Sequence, residues 1–272
     1  MPFMKSFSPV LNKIKQTVKF FSTKLNFDKF TSKTGRKLAI PINDILALAL
    51  YKQRQHIATK KAVWDDFKDR FNCSYKTFVV NLNRWYFLAL IIVALLLKIN
   101  RTNAHPIKHI DSTDIPVCRF KNAHYHKTMK KFAEFGRSSQ GTFYGLKMHI
   151  ISDLKRKILS IKFTGAKTDD RDVVIEMSEG LTGIFVADAG YVSKKLEQEF
   201  YQENKRILFI KPRLNMKKII TEWQKKLYQT RMLIELNFRT LKMFYGLITS
   251  LTRSVAGYLA NYTYALLAYQ IA

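Results

Sequence analysis

Apolar and polar residues repeat along this chain with two different periods. From about residue 41 to residue 100 the period is helical. Pro41 and Asn43 open NDILALALYKQ, whose Ile45, Leu46, Leu48 and Leu50 make a broad apolar stripe. A second helix is predicted over 60–70 and ends at Asn72-Cys73-Ser74. Ser74 caps a third, SYKTFVVNLNRWYFLALIIVALLLKIN. After a linker at 103–106 the period shortens to two. Residues 108–112 (KHIDS) read as a first strand, and 143–152 with 158–164 as an antiparallel pair turning at 153–157. Strands and helices then alternate: a short helix over 169–179, a buried-type strand at 183–187, a helix over 192–203 capped by Ser193, and a strand at 206–210 stopped by Pro212. Two late helices follow. This order predicts the α/β class, a mixed sheet with helices on both faces, after an all-helical N-terminal region. The linker divides the chain into 1–104 and 105–272.

The first late helix is predicted to run unbroken over 221–245. At 100° per residue Tyr228, Arg231, Glu235, Arg239 and Lys242 share one narrow strip. Leu227, Ile234, Phe238, Leu241 and Tyr245 flank it on one side, and Met232, Leu236 and Met243 on the other. A helix apolar over so much of its circumference is expected to be largely buried. A carboxylate held there needs a partner: Arg231 and Arg239, four residues either side of Glu235, or a metal ion.

Charge narrows the function. Lys and Arg outnumber Asp and Glu by 47 to 20, a net +27, which predicts attraction to a polyanion, most simply a nucleic-acid backbone. Two cysteines, Cys73 and Cys118, staple nothing and fit a reducing cytoplasm. The apolar runs 85–97 and 255–272 are read as buried core helices rather than membrane spans: the first is short, and the second carries Asn261, Thr263, Gln270 and tyrosines. Residues 1–35 hold seven lysines and one aspartate with no clean period, as a phosphate-binding arm or a frayed tail. The three N-terminal helices suit a helix-turn-helix offering Lys76, Asn81, Asn83 and Arg84 to DNA, or a packing platform.

Three acids stand where ligands bind in open α/β sheets: Asp111 at the end of the first strand, Asp188 just after GIFVA, and Glu235 on the late helix. Carboxylates that converge repel one another, and divalent cations resolve this. Two such ions clamp the attacking and leaving oxygens of an in-line phosphoryl transfer. Asp114 is a rival to Asp111, but an offset of three reverses its direction on a strand.

The spacing Tyr228-x2-Arg231-x3-Glu235-x6-Lys242 resembles the Y-R-E-K signature of DDE insertion-sequence transposases. IDSTDIPVCR resembles their first-acid motif, and ADAGYVS their second. The GTFYGLKMHIISD hairpin and the LTRSVAGYLANYTYALLAYQIA tail look most like the insertion-sequence 982 family. The resemblance implies an RNase H-like catalytic core over 105–272 and two Mg²⁺ (or Mn²⁺) ions on Asp111, Asp188 and Glu235. It implies transposition of DNA: cleavage at terminal inverted repeats and transfer of the 3′-hydroxyl into target DNA, by at least a dimer, in a bacterial cytoplasm at the nucleoid. Tyr228, Arg231 and Lys242 then contact element-end DNA, and Arg239 on the same strip joins them. Ala189 departs from the lysine many relatives carry.

Outside these motifs, residues 119–137 form a basic loop with Tyr125, Phe132 and Phe135, suited to lying along DNA, and 205–226 is a second basic stretch. Cys118, His124 and His126 lack the further ligands of a zinc site. Asp169, Asp170 and Asp172 are read as caps of the helix that follows.

Overall fold

The computed structural model describes residues 9–31, 37–138, 141–202, 206–211 and 220–272. Parts of the two basic segments, 1–8, 32–35, 205 and 212–219, lie outside the described residues, as do the last residue of the helix expected over 192–203 and the Pro212 stop. The chain forms two compact units, one from 1–95 with 240–272 and one from 96–239.

In the first unit, α1 (Pro9–Lys24) is a regular helix within the stretch that lacked a clean period. Its buried Leu11, Ile14 and Val18 recur at three- and four-residue steps, while Phe20, 57% exposed, blurs the pattern. This face packs on α2 (Ile42–Arg54), and Lys15 pairs with Asp44 at 2.7 Å. Thr59 caps α3 (Lys60–Phe67), its side chain accepting from the Ala62 amide. Ser74 caps α4 (Tyr75–Arg84) through the Thr77 amide, as predicted. After Trp85, α5 (Tyr86–Thr102) buries Leu88, Ala89, Ile92 and Val93, but Leu90, Ile91 and Ile99 are exposed. It is therefore not the wholly buried core helix expected at 85–97. The run Tyr75–Thr102 is long and apolar enough to cross a membrane by length and composition, with 33% of its apolar window buried. The core helix is α10 (Val255–Gln270), capped by Ser254 and buried along most of its length. Its Asn261 donates to the Gly246 and Leu247 carbonyls and accepts from the Gln53 amide, tying α10 to α2.

The second unit carries the mixed sheet predicted. Its described strands are β1 (Ile107–Pro116), β2 (Glu134–Ser138), β3 (Gly141–Asp153), β4 (Ile158–Gly165), β5 (Ile184–Ala187) and β6 (Ile207–Ile210). β4, β3 and β1 are antiparallel in that order; β5 and β6 extend the sheet parallel to β1. β2 had been read as loop. It lies along the outer edge of β3 next to β4, with Gly145 flanked by Pro116 and Glu134. A Cβ at Gly145 would stand 2.1 Å from the Ile115 carbonyl oxygen, so only glycine lets β1 and β3 approach there.

One sheet face, with Ile110, Ile151, Leu159, Phe185 and Ala187, packs on α6 (Val174–Ser178) and α7 (Lys194–Gln202). The other carries His109, which meets the late helices. Those helices correct the reading of 221–245. The segment is two helices, α8 (Glu222–Gln229) and α9 (Met232–Met243), the first opened by a capping box between Thr221 and Gln224. Between them the amides of Thr230, Arg231, Leu233 and Ile234 all bond three residues back, a tightened turn that shifts the phase of the strip. The burial differs too. Leu227, Ile234, Phe238 and Leu241 are buried, but Met232 and Met243 are exposed, and so is Glu235.

Candidate active site

β1 and β5 run parallel, with Ile107, Lys108 and His109 paired to Ile184, Phe185 and Val186. Two residues beyond His109 stands Asp111, and two beyond Val186 stands Asp188. The acids are therefore level where β5 ends. Asp111 is not at the end of its own strand, because β1 runs on against β3 to Pro116. Side chains alternate along a strand, so Asp111 and Asp188 face away from Ile110 and Ala187, toward the α8–α9 turn. Asp114 has the parity of Ile110.

The turn supplies Arg231. Its guanidinium donates to Asp111 Oδ2 at 2.7 Å and Glu235 Oε1 at 2.6 Å, and stands 3.8 Å from Asp188 Oδ2. Tyr228, on the last turn of α8, donates its hydroxyl to Asp188 Oδ1 at 3.1 Å. Glu235 thus has its helical neighbour Arg231 as partner, and so do the two sheet acids. Spacing gave no sign of that sharing.

Two contacts hold the turn against the sheet. Thr230 Oγ1 lies 2.8 Å from His109 Nε2 and donates to the Leu227 carbonyl, which leaves the ring nitrogen as donor. Asn237 of α9 accepts from Arg156 Nε at 2.9 Å, in the β3–β4 turn where Arg156 adopts a left-handed φ of 64°. Burial keeps His109 neutral, with its pKa pushed down to about 4.

Electrostatics single out Asp111. Burial raises its pKa to about 6, against the pull of Arg231 and the Ser112 amide; Asp188 and Asp170 add to the rise. Asp170 is a fourth acid nearby. Of the three aspartates read as caps, Asp169 accepts from the Arg171 amide as expected. Asp170 instead pairs with Lys147 at 3.0 Å and faces buried His149. Tyr191, buried behind the acids, has its hydroxyl pKa raised by burial and by their charge. Lys211 lies over the Tyr228 ring at 5.3 Å, bringing a cation of the second basic stretch beside the site.

Residues 101–255 match the family model described as a transposase DDE domain, more than half of the chain. The chain belongs to the transposase DDE-domain family. The fold also aligns with the cryo-EM structure of the piggyBac transposase synaptic complex with hairpin DNA, at 11% identity and a TM-score of 0.50. The match covers 97% of this chain and 73% of that one. Among curated proteins none matches.

In this DDE transposase chain the three acids offer oxygen donors alone, the set a hard divalent ion takes. One guanidinium facing three carboxylates leaves negative charge to offset, and burial drives the Asp111 pKa up accordingly. The donors thus fit Mg²⁺ or Mn²⁺ in kind. Their spacing is the one Arg231 sets: among the described residues no group of three His, Cys, Asp or Glu is arranged to hold a metal. Arg239 is exposed on the next turn of α9, and Lys242 is half-buried near that helix's end, in the helical unit.

Proposed function

We propose that this transposase cuts DNA at the inverted repeats ending an insertion sequence and joins the freed 3′-hydroxyls to target DNA. In this reading it is an element of the insertion-sequence 982 type, and Asp111, Asp188 and Glu235 hold two Mg²⁺ or Mn²⁺ ions. The observation that carries the reading is the meeting of three acids, from β1, the end of β5 and α9, on Arg231. Bound divalent ions supply charge stabilisation at the attacking and leaving oxygens of the phosphodiester.

The chain's own residues position the reaction. The sheet fixes Asp111 and Asp188 side by side, and Tyr228 holds the Asp188 carboxylate by its hydroxyl. Arg231 offsets their repulsion and, with Arg239 and Lys242, meets the phosphates of the element end. His109 and Thr230 keep the turn that carries Arg231 seated on the sheet. Two element ends require two active sites, hence at least a dimer on DNA, in the bacterial cytoplasm at the nucleoid.

The test incubates purified protein with labelled element-end DNA, a plasmid target and Mg²⁺. Joined product is expected. Cleavage without joining reduces the protein to a nuclease, and binding without cleavage removes the catalytic role. Glu235→Gln is expected to abolish cleavage while leaving DNA affinity within about twofold; a variant that cuts normally refutes the site assignment.

A further inference from the structure

Within the sheet unit, the basic stretch 119–137 gathers its rings into one cluster. β2 alternates, so Phe135 and Arg137 share its exposed face while Glu134 and Gly136 turn the other way. Three rings hold Phe135 in place. Tyr144, its partner across the β2–β3 ladder, lies 4.9 Å away between centroids, His124 lies at 5.4 Å, and Phe120 meets it edge-on at 6.1 Å. Phe120 and His124 come from a short 3₁₀ helix, Phe120–Tyr125. Tyr144 is buried, but Phe120 is 52% exposed and Phe135 37%. Tyr125 and Phe132 add two more exposed rings to the same stretch. Apolar surface left in water and rimmed by charge marks an interaction site.

The rim here is cationic. Arg119, Lys121, Lys127, Lys130, Lys131 and Arg137 are exposed, and none pairs with a carboxylate among the described residues. The stretch has one acid, Glu134, whose carboxylate accepts from the Lys167 amide at 3.2 Å. Beside the rings lies a groove of about 660 Å³, lined by Phe135, Arg137, Lys147, Lys167, Asp169 and Asp170. Its two acids are already paired, Asp169 with Arg171 and Asp170 with Lys147, which leaves Arg137 and Lys167 to set its charge. Asp170 opens a turn, Asp170–Val173, that packs on the Ala189–Tyr191 turn immediately after Asp188. The groove therefore joins the ring cluster to the flank of the acid site.

We propose that this face holds single-stranded DNA, with unpaired bases stacked on Phe120 and Phe135 and the cations around them on the phosphates. A polyanion suits six unpaired cations, and the rings decide which kind. Duplex DNA keeps its base faces covered and offers the rings nothing, whereas an unpaired base has a free face, and stacking on it is indifferent to sequence. Neighbours on three sides keep the Phe135 ring in position before DNA arrives, so little is lost in ordering it. The strand that meets the face is one parted from its complement beside the cut. This rests on the proposed function, since that reading makes DNA the partner.

The test measures affinity by anisotropy, in chelator, for a labelled mixed-sequence oligonucleotide, single-stranded or annealed to its complement. Phe120→Ala and Phe135→Ala are each expected to weaken single-strand binding about tenfold while duplex affinity stays within about twofold, and Phe120→Trp to retain both. Should Phe135→Ala unfold β2, photocrosslinking of the wild-type protein to a single strand carrying 5-iododeoxyuridine, mapped by mass spectrometry, replaces it, with adducts expected on Phe120 or Phe135. Unchanged single-strand affinity in folded variants, equal losses for strand and duplex, or adducts only outside 119–137 overturns the site. So does lost self-association in the alanine variants with single-strand binding intact, which makes the face a protein interface. Tighter binding of RNA of the same sequence overturns the assignment to DNA. If wild type neither cuts nor joins element-end DNA while the alanine variants still lose single-strand binding, the proposed function falls and this site stands. If it cuts and joins while those variants bind the single strand like wild type, only this inference falls.

Discussion

Replacing Arg231 by glutamine removes the guanidinium that Asp111, Asp188 and Glu235 share. The three pairs are not equal. Arg231 is 17% exposed and Asp111 15%, so theirs is an interior ion pair. Asp188 and Glu235 are 48% and 58% exposed, and water screens their share to under about 1 kcal/mol each. Losing one partner of a buried pair costs about 3–5 kcal/mol, because the other charge is left unpaired. Arg231→Gln is therefore expected to lower unfolding free energy by about 3–5 kcal/mol in urea at neutral pH with a chelator. Asp111→Asn in the same chain is expected to recover most of that loss, giving a coupling of about 2 kcal/mol or more in a double-mutant cycle. Arg231→Lys should recover little, since one ammonium does not span three carboxylates as a fork does. If the acids hold divalent ions, Mg²⁺ at a hundred times its Kd returns about 2.7 kcal/mol to Arg231→Gln. A glutamine variant within about 0.5 kcal/mol of wild type in chelator, or losses that simply add, refutes the shared-counterion reasoning.

Further outcomes follow from other contacts. His109, held at about 4 against an ordinary 6.5, contributes stability that is whole above pH 6.5 and lost as pH falls toward 4, about 3 kcal/mol. His109→Gln should flatten that part of the curve in urea titrations between pH 4 and 7. Asp111, raised to about 6, works in the opposite sense: its share is present at acid pH and is lost as pH rises through 6, so Asp111→Asn should gain on wild type across that range. Gly145→Ala places a methyl 2.1 Å from the Ile115 carbonyl oxygen and should cost about 3 kcal/mol, read from the urea midpoint. Asn261→Ala strips the Gly246 and Leu247 carbonyls of their side-chain donor, while Gln53 keeps its bond to the residue-261 carbonyl, and should cost about 2–3 kcal/mol by the same measure.

The amino-acid order by itself determined the class of fold, because periods of two and 3.6 are properties of the backbone and are written locally. It gave the β3–β4 hairpin, the β5 strand and the caps at Ser74 and Ser193, each within a few residues. It placed Asp188 just past a buried-type strand, where β5 does end, but it put Asp111 at a strand end that lies five residues further on, at Pro116. Its failures have a common cause. The strip over 221–245 assumed 100° at every step, and the tightened turn at Thr230 and Arg231 broke that assumption, because a threonine latched to His109 is a long-range contact that no local period records. β2 was missed because a five-residue edge strand is selected by its neighbour β3 rather than by its own composition. The fate of Arg231 was decided only by tertiary structure. Sequence placed it beside Glu235, one turn away. The sheet register brought Asp111 and Asp188 to the same guanidinium from 120 and 43 positions away, since charges attract through space and not along the chain.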